Sequence, residues 1–502
     1  MIFRPLKNSV QATNSIVGGF CLLFLVISFL FSDKFDSLLG YWTFQLLNTF
    51  GYFYLILGLF SVVLLLFLAF SRWGKIKLGE GEVEYGWFSW IAMLYSTGMG
   101  AGLLLRAVQE PVYFFQYAPR TSTLSPAGFA LEYTFFHWGL TPWAFYGLFG
   151  LVIGYVIYVK KEKVSSASLL PKGIQKSILG VLMNVLTIIC TLLGVVAALG
   201  LGGRQFLEAL GFLTNSNFIP IQVIIVVVVI SITATGSALF GLKRGIRNLS
   251  NFNIGVATAL LLVVACFGVL NGIPFSFFDV LGTYILEFVP MSLNLGKYQV
   301  SDDFLKDWTY FYWAFWLAWA PFTGVFIARI SKGRSIREFT LAVLIIPAFG
   351  TFIWFSTFGQ NAFFLLEKGL VEGDAFESIY TGIFMFLEQY PFSIVTQTMT
   401  LLLVFTFLIT SVDSAIFVLS MFSDNGESEP RRRFRWIWGL LIALFTIAVI
   451  VIGKESLLES VSQLLIVFAF PFSLMFLGMA IYFIRLLFLH HVTNGENHIT
   501  KR

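Results

Sequence analysis

Gly98-Met99-Gly100-Ala101-Gly102 lies near the middle of an apolar stretch that runs from residue 87 to residue 115. Three glycines at alternate positions weaken a helix, each by about 1 kcal/mol relative to alanine, and they leave backbone carbonyl groups free to face an ion. Close packing of membrane helices through small residues explains the same pattern. The stretch predicts a weak point in a helix, and a second stretch is needed to decide its purpose.

The second stretch lies five predicted spans further along the chain, from Tyr312 to Gly324. Trp316 and Trp319 are three residues apart and share one face of a helix, and Pro321 then interrupts the hydrogen-bond ladder. Two interrupted helices in corresponding positions are typical of transporters built from two inverted halves, with the substrate site at the middle of the membrane. The pair predicts such a site, although the tryptophans could instead be bulky core or lipid-facing side chains.

The composition around these stretches is that of a membrane protein. Of the 502 residues, 58% are hydrophobic and 12% charged, and the mean hydropathy is +0.84, whereas a soluble domain is roughly half apolar and a quarter charged. A span needs about 20 apolar residues, and these runs are too long for the roughly ten-residue strands of a barrel. We predict an all-α integral membrane protein with twelve transmembrane helices at 15–32, 50–70, 87–115, 136–159, 178–202, 218–241, 252–271, 308–330, 338–358, 391–422, 434–453 and 460–489.

The positive charges predict the orientation of the spans. Most of the 32 lysine and arginine residues fall in the loops of one side, and such loops face the cytoplasm. With an even number of spans, both termini are then cytoplasmic in a multi-pass protein of the cell (inner) membrane. The net charge of +5 reflects this asymmetry and gives no reason to expect a nucleic-acid partner.

The spans divide the chain into five predicted parts. The apolar segment 274–290 is too short to span, and we interpret it as an interfacial helix on the outer face. The parts are a tail with two peripheral helices (1–86), a first five-helix repeat (87–271), an external interfacial helix and loop (272–307), a second, inverted five-helix repeat (308–489) and a short cytoplasmic tail (490–502).

The aromatic residues indicate the kind of substrate. Trp138 and Tyr146 are two helical turns apart, with Pro142 between them. A quaternary ammonium ion has no N–H to donate but is attracted to ring faces, by about 2 kcal/mol or more when desolvated. The chain is 18% aromatic, while its spans are poor in the Asn, Gln and Asp residues that a sugar site would need. The pattern favours a small trimethylammonium or betaine-type solute.

The reactive side chains argue against an enzyme. Cys21, Cys190 and Cys266 are isolated within apolar runs and lack metal-type spacing, so we interpret them as small apolar side chains. No Ser-His-Asp set occurs at one depth, and the interrupted helices argue against an open channel. We expect no metal centre and no cofactor apart from a coupling ion.

Several motifs occur in order over most of the chain, and in them the sequence resembles the betaine/choline/carnitine transporter family. The resemblance implies a leucine-transporter-like fold, in which helices three to seven and eight to twelve form two inverted five-helix repeats, and assembly as a homotrimer. The motifs are Gly98-Met-Gly-Ala-Gly, Glu110-Pro111, His137-Trp138 with Pro142-Trp143, Trp316 with Trp319-Ala-Pro321, Ala328-Arg-Ile-Ser-Lys-Gly-Arg-Ser-Ile-Arg-Glu338 and Thr410-Ser411-Val-Asp-Ser414.

The resemblance also implies a substrate site. An aromatic box would surround the substrate ammonium, with Phe315 where the family usually has a third tryptophan, and the glycines of the first motif would lie beside it. The residues implied are Trp138, Tyr146, Phe315, Trp316 and Trp319, with Gly98, Gly100 and Gly102.

A sodium site follows from the resemblance in the same way. Thr410 and Ser411 match its hydroxyl ligands, and carbonyl groups near Ser96 and Met99 would complete it. Asn253 and Thr323 stand where sodium-independent exchangers of the family have an arginine and a methionine. Gly102 stands where proton-coupled members have an aspartate. These positions imply sodium symport with Ser96, Met99, Asn253, Thr410 and Ser411 near the ion.

Arg106 and Gln109 depart from the family, which has aromatic and small residues just before Glu110-Pro111. An arginine within a span is expensive and usually functional. Arg106 either extends toward the interface or pairs with Glu110 as an outer gate, or it binds a substrate carboxylate.

We therefore expect a secondary active transporter for sodium-coupled uptake of a betaine-type compatible solute such as glycine betaine. The alternative within transport is sodium-independent exchange of carnitine-like trimethylammonium compounds. The alternative of another class is a membrane enzyme or channel.

Overall fold

The computed structural model describes residues 8–117, 125–241, 245–273 and 276–499. Parts of the predicted tails (1–7 and 500–502) and the start of the predicted interfacial helix (274–275) lie outside the described residues. Within the described ranges the regular structure is helical, apart from one isolated β-bridge between Lys77 and Ser335.

The α-helices are numbered along the chain, and a π-helical turn (Leu305–Tyr310) joins α12 to α13. They are α1 (Ser9–Leu30), α2 (Ser32–Phe70), α3 (Trp87–Gly98), α4 (Gly100–Arg106), α5 (Gln109–Tyr117), α6 (Pro126–Trp138), α7 (Leu140–Tyr158), α8 (Ile178–Thr214), α9 (Val223–Phe240), α10 (Arg247–Leu270), α11 (Phe277–Ser292), α12 (Asp302–Phe304), α13 (Phe311–Ile330), α14 (Ile336–Glu367), α15 (Gly382–Glu388), α16 (Ser393–Ser423) and α17 (Arg432–Ile499).

The number of membrane helices agrees with the sequence. In the described part of the chain, 11 helical segments are long and apolar enough to span a membrane, or 12 if the bent pair α3 and α4 counts as one span. α17 contributes two of these segments, Arg432–Ile450 and Gln463–Leu489. The predicted all-α membrane fold is confirmed, and helix α17 continues through most of the segment predicted as a tail.

The glycine motif breaks its span. α3 and α4 meet at an angle of 61°, and Gly100 has a φ of +38°, a backbone conformation that side-chain-bearing residues rarely adopt. A Cβ atom on Gly100 would lie 3.2 Å from Ser411 Oγ. The break therefore brings the backbone of the motif against α16.

The predicted interruption at Pro321 is wrong. α13 runs unbroken from Phe311 to Ile330 with Pro321 inside it. Proline removes one backbone hydrogen bond, but α13 is buried and packs along α7 and α8, and neighbouring helices commonly compensate for proline in membrane helices. The irregularity precedes the helix instead, in the π-helical turn Leu305–Tyr310.

The fourth span is divided at Gly139, between α6 and α7. A Cβ atom there would lie 2.4 Å from the Phe352 ring and 2.5 Å from the Phe135 carbonyl oxygen, so only glycine fits. The division leaves Trp138 as the last residue of α6.

The helix contacts repeat between two halves of five spans. The first half begins at α3 and the second at α13. α4 of the first half packs on α16, and α13 of the second half packs on α8, so each opening helix contacts the third span of the other half. α3 also packs on α10, as α13 does on α17. Because five is an odd number, the second half starts from the opposite side of the membrane, which is the inverted arrangement implied by the resemblance.

Candidate functional site

A cavity of about 140 Å³, called here the central cavity, lies between the two halves beside the α3–α4 break. Its lining comes from the end of α3 and the break that follows it, from α4, α6, α8, α13 and α16, and from the loop before α15. Among the predicted site residues, the lining includes Gly98, Met99, Gly102, Arg106, Trp138, Phe315, Trp316, Trp319 and Ser411.

Aromatic rings form much of the wall of the central cavity. The rings of Trp138 and Trp316 are 5.2 Å apart and nearly perpendicular, at 70°. Phe315 meets Trp316 at 5.4 Å and 82° and is stacked with Trp319 at 5.6 Å. Ring faces attract a cation without needing a hydrogen-bond donor from it, so the wall suits an ammonium group that carries only methyl substituents.

The structure sets Tyr146 and Gly100 back from the central cavity. Tyr146 is fully buried, and its ring stands perpendicular to that of Trp316 at 6.3 Å. Gly100 faces Ser411. Tyr146 therefore supports the Trp316 wall from behind.

A buried carboxylate holds two of the wall residues. One oxygen of Glu110, Oε2, accepts a hydrogen bond from Trp138 Nε1 at 3.0 Å and a short one from the Tyr312 hydroxyl. The other oxygen, Oε1, lies 3.4 Å from His137 Nδ1, and His137 Nε2 contacts Thr309 Oγ1 of the π-helical turn at 3.0 Å. Glu110 thus links α5, α6 and α13 immediately behind the rings.

Arg106 lines the central cavity from the end of α4. Its Nη1 donates to Gln109 Oε1 at 2.5 Å, and its guanidinium lies 5.7 Å from the centre of the Trp308 ring. The hydrogen bonds of Glu110 come from Trp138 and Tyr312 instead, so the pairing of Arg106 with Glu110 considered above is absent between these two described residues.

The predicted ion ligands lie on α3, α10 and α16, which pack against one another, and at the break after α3. Asn253 Nδ2 donates to Thr410 Oγ1 at 3.4 Å, and Met99 and Ser411 line the adjacent cavity. Ser96 Oγ and Asn253 Oδ1 are buried and make no hydrogen bond within the described part of the chain. A buried polar atom without a partner is costly, and oxygen atoms beside a broken helix can coordinate a cation.

A second cavity, of about 320 Å³ and called here the outer cavity, lies beside α5 on the side predicted to face outward. It is lined by Gln109, Val112, Tyr113, Gln116, Tyr117, Phe376 and Glu377.

Sequence reasoning missed Tyr312, Phe311 and Ile379 in the central cavity. Tyr312 precedes Trp316 by four residues and so lies on the same helix face, a spacing that could have revealed it. Its ring stacks on Trp316 at 5.7 Å and 17°. Ile379 lies in a loop without periodicity, and no sequence pattern marks it.

A central cavity with aromatic walls, enclosed between two inverted halves and next to a broken helix, defines a secondary transporter of small solutes. The family model "BCCT, betaine/carnitine/choline family transporter" matches residues 13–491. The chain therefore belongs to the betaine/choline/carnitine transporter family, as its motifs predicted.

Relatives align over most of the chain. The glycine betaine transporter OpuD of Bacillus subtilis (strain 168) is 37% identical over 441 residues, which cover 86% of this chain and 85% of OpuD. An ectoine/hydroxyectoine transporter of Virgibacillus pantothenticus is 35% identical and covers 87% of this chain and 88% of its own. Among solved structures, a Na+-coupled sialic acid symporter aligns over 87% of this chain and 86% of its own, with a TM-score of 0.49 and 12% identity.

Proposed function

We propose that this protein takes up a zwitterionic trimethylammonium solute, such as glycine betaine, together with sodium. The observation that carries the proposal is the composition of the central cavity wall, which combines the rings of Trp138, Trp316 and Trp319 with the guanidinium of Arg106. The rings suit the methylated ammonium group. Arginine can bind a carboxylate through two parallel hydrogen bonds.

The relatives support a zwitterionic solute. OpuD is a glycine betaine transporter, and the Virgibacillus pantothenticus protein transports ectoine and hydroxyectoine. These solutes share a cationic nitrogen centre and a carboxylate, which is the combination that the cavity wall can accommodate.

Sodium is the proposed coupling ion, and Ser96, Met99, Asn253, Thr410 and Ser411 are its proposed surroundings. The support is that Ser96 Oγ and Asn253 Oδ1 are buried and have no hydrogen-bond partner among the described residues, on helices α3 and α10, which pack against each other. A bound sodium ion would give both oxygen atoms the positively charged partner that they lack. Sodium-independent exchange is the second candidate.

The remaining proposals concern the setting of the protein. We place it in the cell membrane with both termini in the cytoplasm, on the basis of its lysine and arginine distribution. A homotrimer is the proposed assembly. Support comes from the amphipathic helix α11, which buries Tyr284 and Phe288 and exposes Phe278 (74%) and Leu286 (81%), because an exposed apolar face of this kind can pack against another subunit or lipid.

The test is uptake into proteoliposomes that contain the purified full-length chain. A panel of labelled glycine betaine, carnitine, choline and ectoine would be offered with and without an inward sodium gradient. Glycine betaine uptake that requires the gradient is the expected result. Equal uptake in sodium and potassium buffers would exclude sodium symport, and uptake that requires an internal counter-solute would favour the exchanger.

Thr410→Ala and Ser411→Ala are expected to raise the sodium concentration for half-maximal uptake, by about tenfold in the double variant, because two hydroxyl ligands are removed. Each hydroxyl contributes roughly 0.7 kcal/mol, so the two together contribute about 1.4 kcal/mol, which is a factor of ten. Sodium titrations of uptake measure this effect. Thr406→Ala is a matched control, since Thr406 lies one helical turn earlier in α16 and bonds only to backbone oxygens of its own helix. An unchanged sodium requirement in the double variant would show that the ion binds elsewhere.

Arg106→Gln is expected to weaken binding of glycine betaine about tenfold while binding of choline changes little, because choline has no carboxylate for the guanidinium to bind. Competition against a labelled substrate measures both affinities in one preparation. If the substitution weakens both solutes equally, Arg106 acts in gating and not as a carboxylate ligand.

A further inference from the structure

Two segments of the chain contribute to the walls of both cavities. In the first segment, Arg106 lines the central cavity and Gln109 lines the outer cavity, and the two are joined by their 2.5 Å hydrogen bond. In the second segment, the loop before α15 places Ile379 in the wall of the central cavity and Phe376 in that of the outer cavity. The hydrogen-bonded Arg106–Gln109 pair therefore links the walls of the two cavities.

Aromatic rings pack next to the Arg106–Gln109 pair. The Trp308 ring lies 5.7 Å from the Arg106 guanidinium carbon and 4.8 Å from the ring of Tyr113, which itself lines the outer cavity. Trp308 belongs to the π-helical turn that leads into α13, and π-helical turns occur frequently at functional sites. The guanidinium is thus held between a ring and an amide oxygen.

The acceptor in this pair is neutral and can be replaced. Gln109 offers one amide oxygen, whereas a carboxylate offers two charged oxygens in the geometry that a guanidinium prefers. A solute with a carboxylate can take the place of Gln109 without leaving the cation unpaired at any moment. Choline carries only a hydroxyl group, so it must break the bond without an equivalent replacement.

We propose that the Arg106–Gln109 hydrogen bond is a latch between the two cavities, and that Gln109 makes passage selective for solutes that carry a carboxylate. This inference rests on the proposed function. It assigns to Gln109 a role in specificity that is separate from the affinity of the aromatic walls, because a latch governs the rate at which a solute reaches the central cavity.

The experiment measures association rates by stopped-flow tryptophan fluorescence on the purified full-length chain. Gln109→Leu keeps the size of the side chain and removes the hydrogen-bond acceptor. The association rate of choline is expected to rise about tenfold in this variant, because one hydrogen bond to a charged group is worth about a factor of ten. The association rate of glycine betaine is expected to rise by less than about twofold. In Gln109→Glu, a tethered carboxylate competes with the solute, and both rates are expected to fall at least about tenfold.

The matched control is Gln116→Leu. Gln116 lines the same outer cavity but donates to the Gly373 carbonyl oxygen and not to Arg106, so the ratio of the two rates should stay at its wild-type value. Gln109→Ala serves as a second variant if Gln109→Leu is not monodisperse in gel filtration.

Two results would overturn the latch. If Gln109→Leu changes the association rates of choline and glycine betaine by the same factor, Gln109 has only a packing role. If Gln109→Glu leaves both association rates unchanged, the Arg106–Gln109 pair is no barrier to entry. Equilibrium binding of glycine betaine to the wild-type chain is measured first. Its absence would overturn the proposed function together with the latch, whereas equal factors with intact binding overturn the latch alone.

Discussion

Replacing Glu110 with leucine is expected to weaken binding of glycine betaine by roughly thirtyfold or more. The substitution leaves the Trp138 Nε1 and Tyr312 hydroxyl donors, both now bonded to Glu110 Oε2, buried without an acceptor. Each such orphan costs about 1–3 kcal/mol, and 1.4 kcal/mol is a factor of ten in affinity. Both donors belong to rings that line the central cavity. In the free variant these rings can turn toward other acceptors, and binding must return them to the cavity wall at that cost. Tryptophan-fluorescence titration with glycine betaine measures it.

Glu110→Gln is the matched control for this prediction. Its carbonyl oxygen can accept the same two hydrogen bonds, so affinity is expected to stay within about threefold of the wild type. If the glutamine variant falls as far as the leucine variant while remaining monodisperse, the negative charge of Glu110 matters and not its role as an acceptor.

Trp316→Leu and Trp319→Leu are each expected to weaken binding at least about tenfold, because each ring contributes about 1.4–2 kcal/mol of cation–π attraction to a desolvated cation. The two variants are not equivalent. Trp316 Nε1 also donates to the His137 carbonyl oxygen at 3.0 Å, whereas Trp319 Nε1 has no hydrogen-bond partner in the described structure. Trp319→Leu therefore removes the ring without breaking a hydrogen bond.

Fluorescence titration of both variants tests the aromatic wall. Trp42→Leu is the control, because Trp42 is half exposed on α2 and outside the central cavity, so its loss should leave affinity unchanged. Unaltered affinity in both Trp316→Leu and Trp319→Leu would show that the ammonium group binds elsewhere.

Local sequence patterns predicted much of this arrangement. The alternate glycines at 98, 100 and 102 predicted a break that the structure contains, since a positive φ at Gly100 is a local property of glycine. The three-residue spacing of Trp316 and Trp319 likewise predicts a shared helix face, and both residues line the central cavity.

Properties that depend on distant neighbours were less accessible from the sequence. Pro321 was predicted to interrupt α13, but burial against α7 and α8 keeps that helix continuous. The division of α6 from α7 depends on the approach of Phe352 to Gly139, more than two hundred residues away in the chain. The hydrogen-bond partner of Arg106 could not be predicted from the sequence either. Glu110 accepts a hydrogen bond from Tyr312 of another helix, and Arg106 donates to Gln109 instead.

The presence of a break in α3–α4 and its absence from α13 make the two halves mechanically unequal. A helix with a nearly complete hydrogen-bond ladder is stiff, whereas a chain at a glycine with positive φ bends at little cost. Bending during a transport cycle should then occur mainly at Met99 and Gly100. Helix α13 should move as a rigid body, so that the spacing of Phe315, Trp316 and Trp319 stays constant. The flexible break at Gly100 lies against Ser411. An ion bound at Ser411 would therefore restrict bending between α3 and α4.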